Sequence, residues 1–231
     1  MRIAPIVVMA FAAALAATTS AGAASITTLY NTGVDSSGTP LSDGTVGDPH
    51  YNLVSVPGGS TTDILVRTSA GGYPIPPYIG DDTLSAWIGP NNDNNLDGPN
   101  GTYDYQITFS LAGLNAATAA IVGGWTSDND GIGILLNGNN TGTPPTDFAQ
   151  FSLGFAPFTI SGGFLPGLNT LDFLVDNGGG PTALRVEMSG TADLAATPLP
   201  STWTMLIAGF IALGFFAYRG NKKGSAAIAA A

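Results

Sequence analysis

From Tyr103 to Leu111 every second residue is apolar: Tyr103, Tyr105, Ile107, Phe109 and Leu111 alternate with Asp104, Gln106, Thr108 and Ser110. Successive side chains of an extended chain point to opposite faces. This spacing therefore buries one face of a β-strand and wets the other, and it cannot gather the same residues on one stripe of a helix. The period recurs where Leu171, Phe173 and Val175 alternate with Asp172 and Asp176, and where Leu184, Val186 and Met188 alternate with Arg185 and Glu187. Between those two runs lies Asn177-Gly178-Gly179-Gly180-Pro181, which predicts that they form a hairpin. Further strands are predicted over 26–30, 51–56, 63–67, 119–126, 131–136 and 148–160, with Asn137-Gly138 as the turn that closes the strand before it. No part of 25–196 keeps a helical period, and many of the 32 glycines and 16 prolines stand between the runs. Strands joined by short turns, without helices, predict an all-β fold: an antiparallel β-sandwich of the jelly-roll kind.

Charge divides the chain into three parts. All 16 carboxylates lie between Asp35 and Asp193, where the bases are Arg67 and Arg185 alone. Arg2 stands at the N-terminus, and Arg219, Lys222 and Lys223 follow an apolar run near the C-terminus. A body this acidic repels phosphate backbones, which excludes nucleic acid as a partner. The absence of cysteine excludes a disulfide framework, thiolate metal sites and a cysteine nucleophile. His50 is the single histidine, and no Gly-x-Ser-x-Gly elbow occurs, so no catalytic residue is assigned and a non-enzymatic body is expected. Arg185 is expected to pair across strands with Asp172, Asp176 or Glu187, worth under about 1 kcal/mol if exposed.

The two ends read as targeting segments. Arg2, an uncharged run from 3 to 17 and the small residues from Ser20 to Ala24 have the form of a signal peptide over 1–24. Ala21-Gly22-Ala23 supplies its cleavage site, with the cut after Ala23 or Ala24. At the other end, the 16 uncharged residues from Trp203 to Tyr218 make a helix of about 24 Å. Set against a hydrocarbon core of about 30 Å, with Trp203 and Tyr218 at the interfaces and Arg219 snorkelling, this predicts a transmembrane helix over 203–218. The basic cluster places the C-terminus in the cytoplasm and the acidic body, 25–196, outside.

Pro198-Leu199-Pro200, the Trp203-led apolar helix and the cluster Arg219, Lys222 and Lys223 together resemble the PEP-CTERM sorting signal of Gram-negative bacteria, over 198–223 of the tail 197–231. Leu199 stands where that family usually has Glu, and 224–231 extends past the cluster. The resemblance implies a transient inner-membrane intermediate, cutting near the Pro-x-Pro by an exosortase-like enzyme, and delivery to the cell surface or extracellular matrix. The stretch from Gly123 to Gly138, with 167–177 and 184–188, resembles the second half of galactose-binding-like sandwiches. That likeness implies either carbohydrate binding or a purely structural module.

Three groups of residues could bind a ligand. Asp93-x-Asn95-x-Asp97-Gly98 places hard oxygen donors at alternate positions before a turn, as a Ca²⁺ loop does, and Asp104 falls twelfth from Asp93. The competing reading is a solvated Asn/Asp turn. Asp128 and Asp130, flanking Asn129 before Gly131, form a shorter cluster of the same type. Tyr73, Tyr78 and Trp87 lie near the prolines of 74–77 and could form an aromatic platform for sugar rings, or cap one end of the core. The sequence thus predicts an exported, non-enzymatic sandwich that associates with exopolysaccharide, with Ca²⁺ as a candidate bridging ion. A polysaccharide-active hydrolase and a ligand-free surface structural protein are the alternatives.

Overall fold

The computed structural model describes residues 22–72, 77–196 and 201–228, with the side chains of 202, 203 and 205–219 in the last stretch. The chain divides into two compact units, Met1–Ala195 and Ala196–Ala231. Residues 1–21, most of the expected signal peptide, lie outside the described residues.

The first unit is mostly β, built from two antiparallel sheets. One has the order β3 (Ile64–Arg67), β4 (Trp87–Pro90), β11 (Ala183–Asp193), β6 (Ala120–Asp128) and β9 (Ala156–Ile160), with β1 (Ala23–Ser25) also pairing with β11. The other runs β2 (Tyr51–Ser55), β5 (Gly101–Ser110), β10 (Leu168–Asn177), β7 (Asp130–Leu136) and β8 (Asn139–Asn140). The period-two residues behave as their spacing requires: Tyr103, Tyr105, Ile107 and Phe109 are buried, while Asp104 and Gln106 are half-buried and Thr108 is exposed. Their apolar face meets Leu171, Phe173, Val175, Leu184, Val186 and Trp125 in one core. Phe173 sits at its centre, with the rings of Trp125 and Phe158 at 5.9 and 6.0 Å. Gly131 makes this packing possible, since a Cβ there would lie 2.5 Å from the Trp125 ring.

The predicted hairpin between 171–176 and 184–188 does not form. β10 pairs with β5 and β7 in one sheet, and β11 pairs with β4 and β6 in the other, so the glycine-rich link crosses between sheets. Alternation gives each strand a buried face but does not say whether its successor lies beside it or opposite it. The side-chain amide of Asn177 donates to the carbonyls of Gly98 (2.8 Å) and Pro99 (3.3 Å), which holds the crossing against the 91–100 loop.

Three further expectations are corrected. Residues 26–30 form a turn rather than a strand, and β1 begins at Ala23, so the expected cleavage points fall within it. Residues 148–160 split into one helical turn, α1 (Gln150–Leu153), and β9, because Gly154 takes a φ of 101° between them. β4 escaped the sequence because all four of its residues are buried, which erases alternation.

In the second unit, helix α2 spans Ser201–Ile228. Among the described residues no helix is long and apolar enough to cross a membrane, so the transmembrane segment expected over 203–218 is not borne out. Its uncharged run reaches only about 24 Å, short of a hydrocarbon core of about 30 Å. Trp203 is exposed on α2, and the Arg219 guanidinium lies 5.5 Å from the Phe215 ring centroid. Pro198, Leu199 and Pro200 lie outside the described residues, as do the side chains of Lys222 and Lys223.

Candidate functional site

The aromatic candidates do not form a surface platform. Trp87 is fully buried on the outer side of the first sheet, in a second apolar layer with Leu65, Leu96 and Ala183, covered by Tyr78, Ile79 and Phe151. Its indole Nε1 donates to the Ile79 carbonyl at 3.3 Å, and the Tyr78 ring meets it edge-on at 5.4 Å. A sugar ring cannot stack on a residue so enclosed. Tyr78 packs on Phe151 at 4.6 Å and donates its hydroxyl to Asp128. Tyr73 lies outside the described residues.

Arg185 is buried in this layer as well, at 1% exposure, and of its three expected partners only Glu187 is near it. Asp172 and Asp176 belong to the other sheet, and the guanidinium reaches Glu187 at 3.6 Å and, closer, the unforeseen Asp82 at 2.7 Å. It also donates to the Ser85 hydroxyl and the Gly80 carbonyl, each at 2.7 Å, so it fastens residues 80–85 over the sheet.

The Ca²⁺ candidates are not gathered into one site. Asp93 and Asp97 are neighbours in the 91–100 loop, where Asp93 Oδ1 accepts the backbone N–H groups of Asn95 (2.9 Å) and Asp97 (3.0 Å). This is an Asx-type turn whose carboxylate is already engaged. Partial burial, and then the charge of Asp93, raise the carboxyl of Asp97 above its usual range. Asp104 stands apart from this loop, on the outer face of β5. Asp128 accepts from Tyr78 and from the side-chain amide of Asn129 (2.7 Å), while Asp130 pairs in register with Asp176 on β10. Burial pushes Asp128 up to about 6, with its two hydrogen bonds opposing the shift. Among the described residues no group of three or more acidic or histidine side chains is placed to hold a metal ion.

What the fold does assemble is a polar ladder on the outer face of the second sheet. The registers set Thr108 opposite Thr170, Gln106 opposite Asp172, Asp104 opposite Leu174 and Thr102 opposite Asp176. Gln106 donates its side-chain amide to Asp172 at 2.7 Å, and Thr102 its hydroxyl to Asp176 at 3.2 Å. Asp104 lies diagonally across from Asp172, and its Oδ1 is shielded from solvent without a hydrogen-bond partner. Burial, and then the Asp172 charge, push Asp104 up to about 6. At the flanks, β2 and β7 bring the exposed aliphatic side chains of Val54 and Ile132. The sequence marked Asp172 and Gln106 only as wet positions of two strands. Their pairing, across 66 residues, required the register.

The sign of the Asp104 effect follows from linkage. A carboxyl whose folded value is raised lets the folded state hold a proton that the unfolded state releases, so its penalty is absent below 3.8 and complete above about 6. Because the group is half exposed, solvent screening reduces this penalty to about 1 kcal/mol. Asp104→Asn should therefore stabilise the protein by about that amount at pH 8 and not at all at pH 4. Urea unfolding at the two pH values measures it; an equal effect at both would rule out titration as the cause.

No family model matches the chain, and no curated protein matches it. Among solved structures, the chain is similar to CBM35 from Paenibacillus barcinonensis, at 19% sequence identity and a TM-score of 0.32, covering 67% of this chain and 100% of that one.

Proposed function

We propose that the sandwich is a non-enzymatic polysaccharide-binding body, and that the outer face of β2, β5, β10 and β7 is where it binds. The observation that carries this reading is the ladder formed by Asp104, Gln106 and Asp172. It sets the half-buried Asp104 and Gln106 and the exposed Thr108 in one row beside the buried Asp172, between the exposed aliphatic groups of Val54 and Ile132. A sugar offers the complement: hydroxyl donors around the ring edge and C–H surface on its faces.

Export and sorting complete the proposal. They are read from Arg2 with its apolar run, and from the tail with Pro198, Leu199, Pro200, Trp203, Arg219, Lys222 and Lys223, which an exosortase-like enzyme would process. The body would then act at the cell surface or in the extracellular matrix, with exopolysaccharide as its partner. Ca²⁺ would enter as a bridging ion at Asp93 and Asp97, whose carboxylates are adjacent.

Co-sedimentation of the full chain with the producing cells' exopolysaccharide, in Ca²⁺ and in EDTA, tests this. Asp172→Ala and Gln106→Ala should each weaken binding about tenfold, corresponding to about 1.4 kcal/mol. Tyr78→Phe, in the segment that covers the other sheet, should not. Binding unaltered in both ladder variants would remove the face from consideration. A second reading, a hydrolase, is favoured by one observation: Asp104 is raised to about 6 beside a second carboxyl. Release of reducing ends that Asp104→Asn abolishes would select it.

A further inference from the structure

The charge of the polymer follows from where the body keeps its cations. The first unit contains only two arginines besides Arg2, and no lysine. Neither arginine is offered to a ligand. Arg67, 7% exposed, spends its guanidinium on Asp43 at 2.9 Å and on the Gly71 carbonyl at 2.8 Å. Arg185, 1% exposed, is held by Asp82, Glu187, Ser85 and Gly80 and lies 5.4 Å from the centre of the Phe155 ring. His50 lies face to face with the ring of Tyr30, their centroids 3.6 Å apart.

The second sheet has no base on any strand, and its titratable side chains on this side are Asp104, Asp172, Asp176 and Asp130. A uronate- or sulfate-bearing polymer laid on this face meets like charge with nothing to neutralise it. A neutral polymer meets no such field. Its hydroxyls can pair with the half-buried Asp104 and Gln106 and the exposed Thr108, and its C–H faces can rest on Val54 and Ile132.

We infer that the ligand of this face is a neutral, hydroxyl-rich polysaccharide, and that the body rejects polyanions because both of its interior cations are locked in internal ion pairs. The inference rests on the polysaccharide reading and makes its substrate class specific.

The test is affinity electrophoresis of the full chain through gels containing dextran, galactomannan or laminarin as neutral polymers, and polygalacturonate or alginate as polyanions. Each gel is run in EDTA at about 50 and about 500 mM NaCl, which shortens the screening length from about 14 Å to about 4 Å. At least one neutral polymer should retard the protein, with a salt dependence of less than about twofold, and the polyanions should bind at least about tenfold more weakly. Retardation by a polyanion as strong as by the neutral polymers, in EDTA, overturns the inference and leaves the polysaccharide reading standing. No retardation by any polymer overturns that reading, and the inference with it.

Discussion

Trp87→Ala should cost the first unit about 3–5 kcal/mol, the usual result of removing a fully buried indole. Trp87 is 0% exposed and contributes to a layer that lies outside the main sandwich core, closed by Tyr78, Ile79 and Phe151. Its Nε1–H bond to Ile79 ties the covering segment to β4. Deleting the indole leaves a cavity that the stiff sheet beneath cannot fill, so the loss should be at the high end of the range. Urea unfolding of Trp87→Ala beside Trp87→Phe measures it, with the larger loss expected in the alanine variant. A variant as stable as the parent that had lost glycan affinity would reinstate Trp87 as a surface platform.

Arg185→Met should cost about 3 kcal/mol, the lower end of the price of breaking a buried ion pair, because Asp82 is itself 41% exposed. Methionine fills similar volume, so the loss is electrostatic and polar rather than a cavity. The Ser85 hydroxyl and the Gly80 carbonyl lose a donor, and Asp82 and Glu187 are left facing each other without the cation between them. Burial alone would raise the Asp82 carboxyl, and the Leu84 N–H, the Glu187 side chain, the Arg185 charge and the Ser85 N–H together hold it below the usual carboxylate range, so its titration should move up in the variant. Arg185→Lys should recover little, since an ammonium cannot span four partners as the guanidinium fork does. Thermal unfolding measures the stability, and limited proteolysis at 80–85 the fastening of that segment. Protection equal to the parent's would show that other contacts hold it.

The fold was legible wherever one face of a strand is wet. Tyr103, Tyr105, Ile107 and Phe109 announce β5 because Asp104, Gln106 and Thr108 separate them, and β10 follows from Leu171, Phe173 and Val175 in the same way. β4 was illegible because its outer face is covered by the second apolar layer and so shows no alternation. The same covering misled the reading of Trp87: an aromatic near prolines looks the same in a sequence whether it meets water or Phe151. Arg185 shows a third case. Alternation placed it correctly on the polar side of β11, but that side turned out to be buried under 80–85, and its partner Asp82 lies on a loop that no period reveals.

The sequence by itself determined that the body is mostly β, that it is acidic with only two interior cations, and that it holds a single histidine and no cysteine. These follow from composition and from a two-residue period, which are local properties. Only the tertiary structure decided which strands lie side by side, that β10 and β11 belong to opposite sheets, and that Asp104, Gln106 and Asp172 share one face. It also decided that both arginines are buried and held in internal ion pairs. The physical reason is that a strand's pattern specifies which of its faces is buried, but not what buries it. The register that joins residues 66 apart is set by packing the whole sandwich at once.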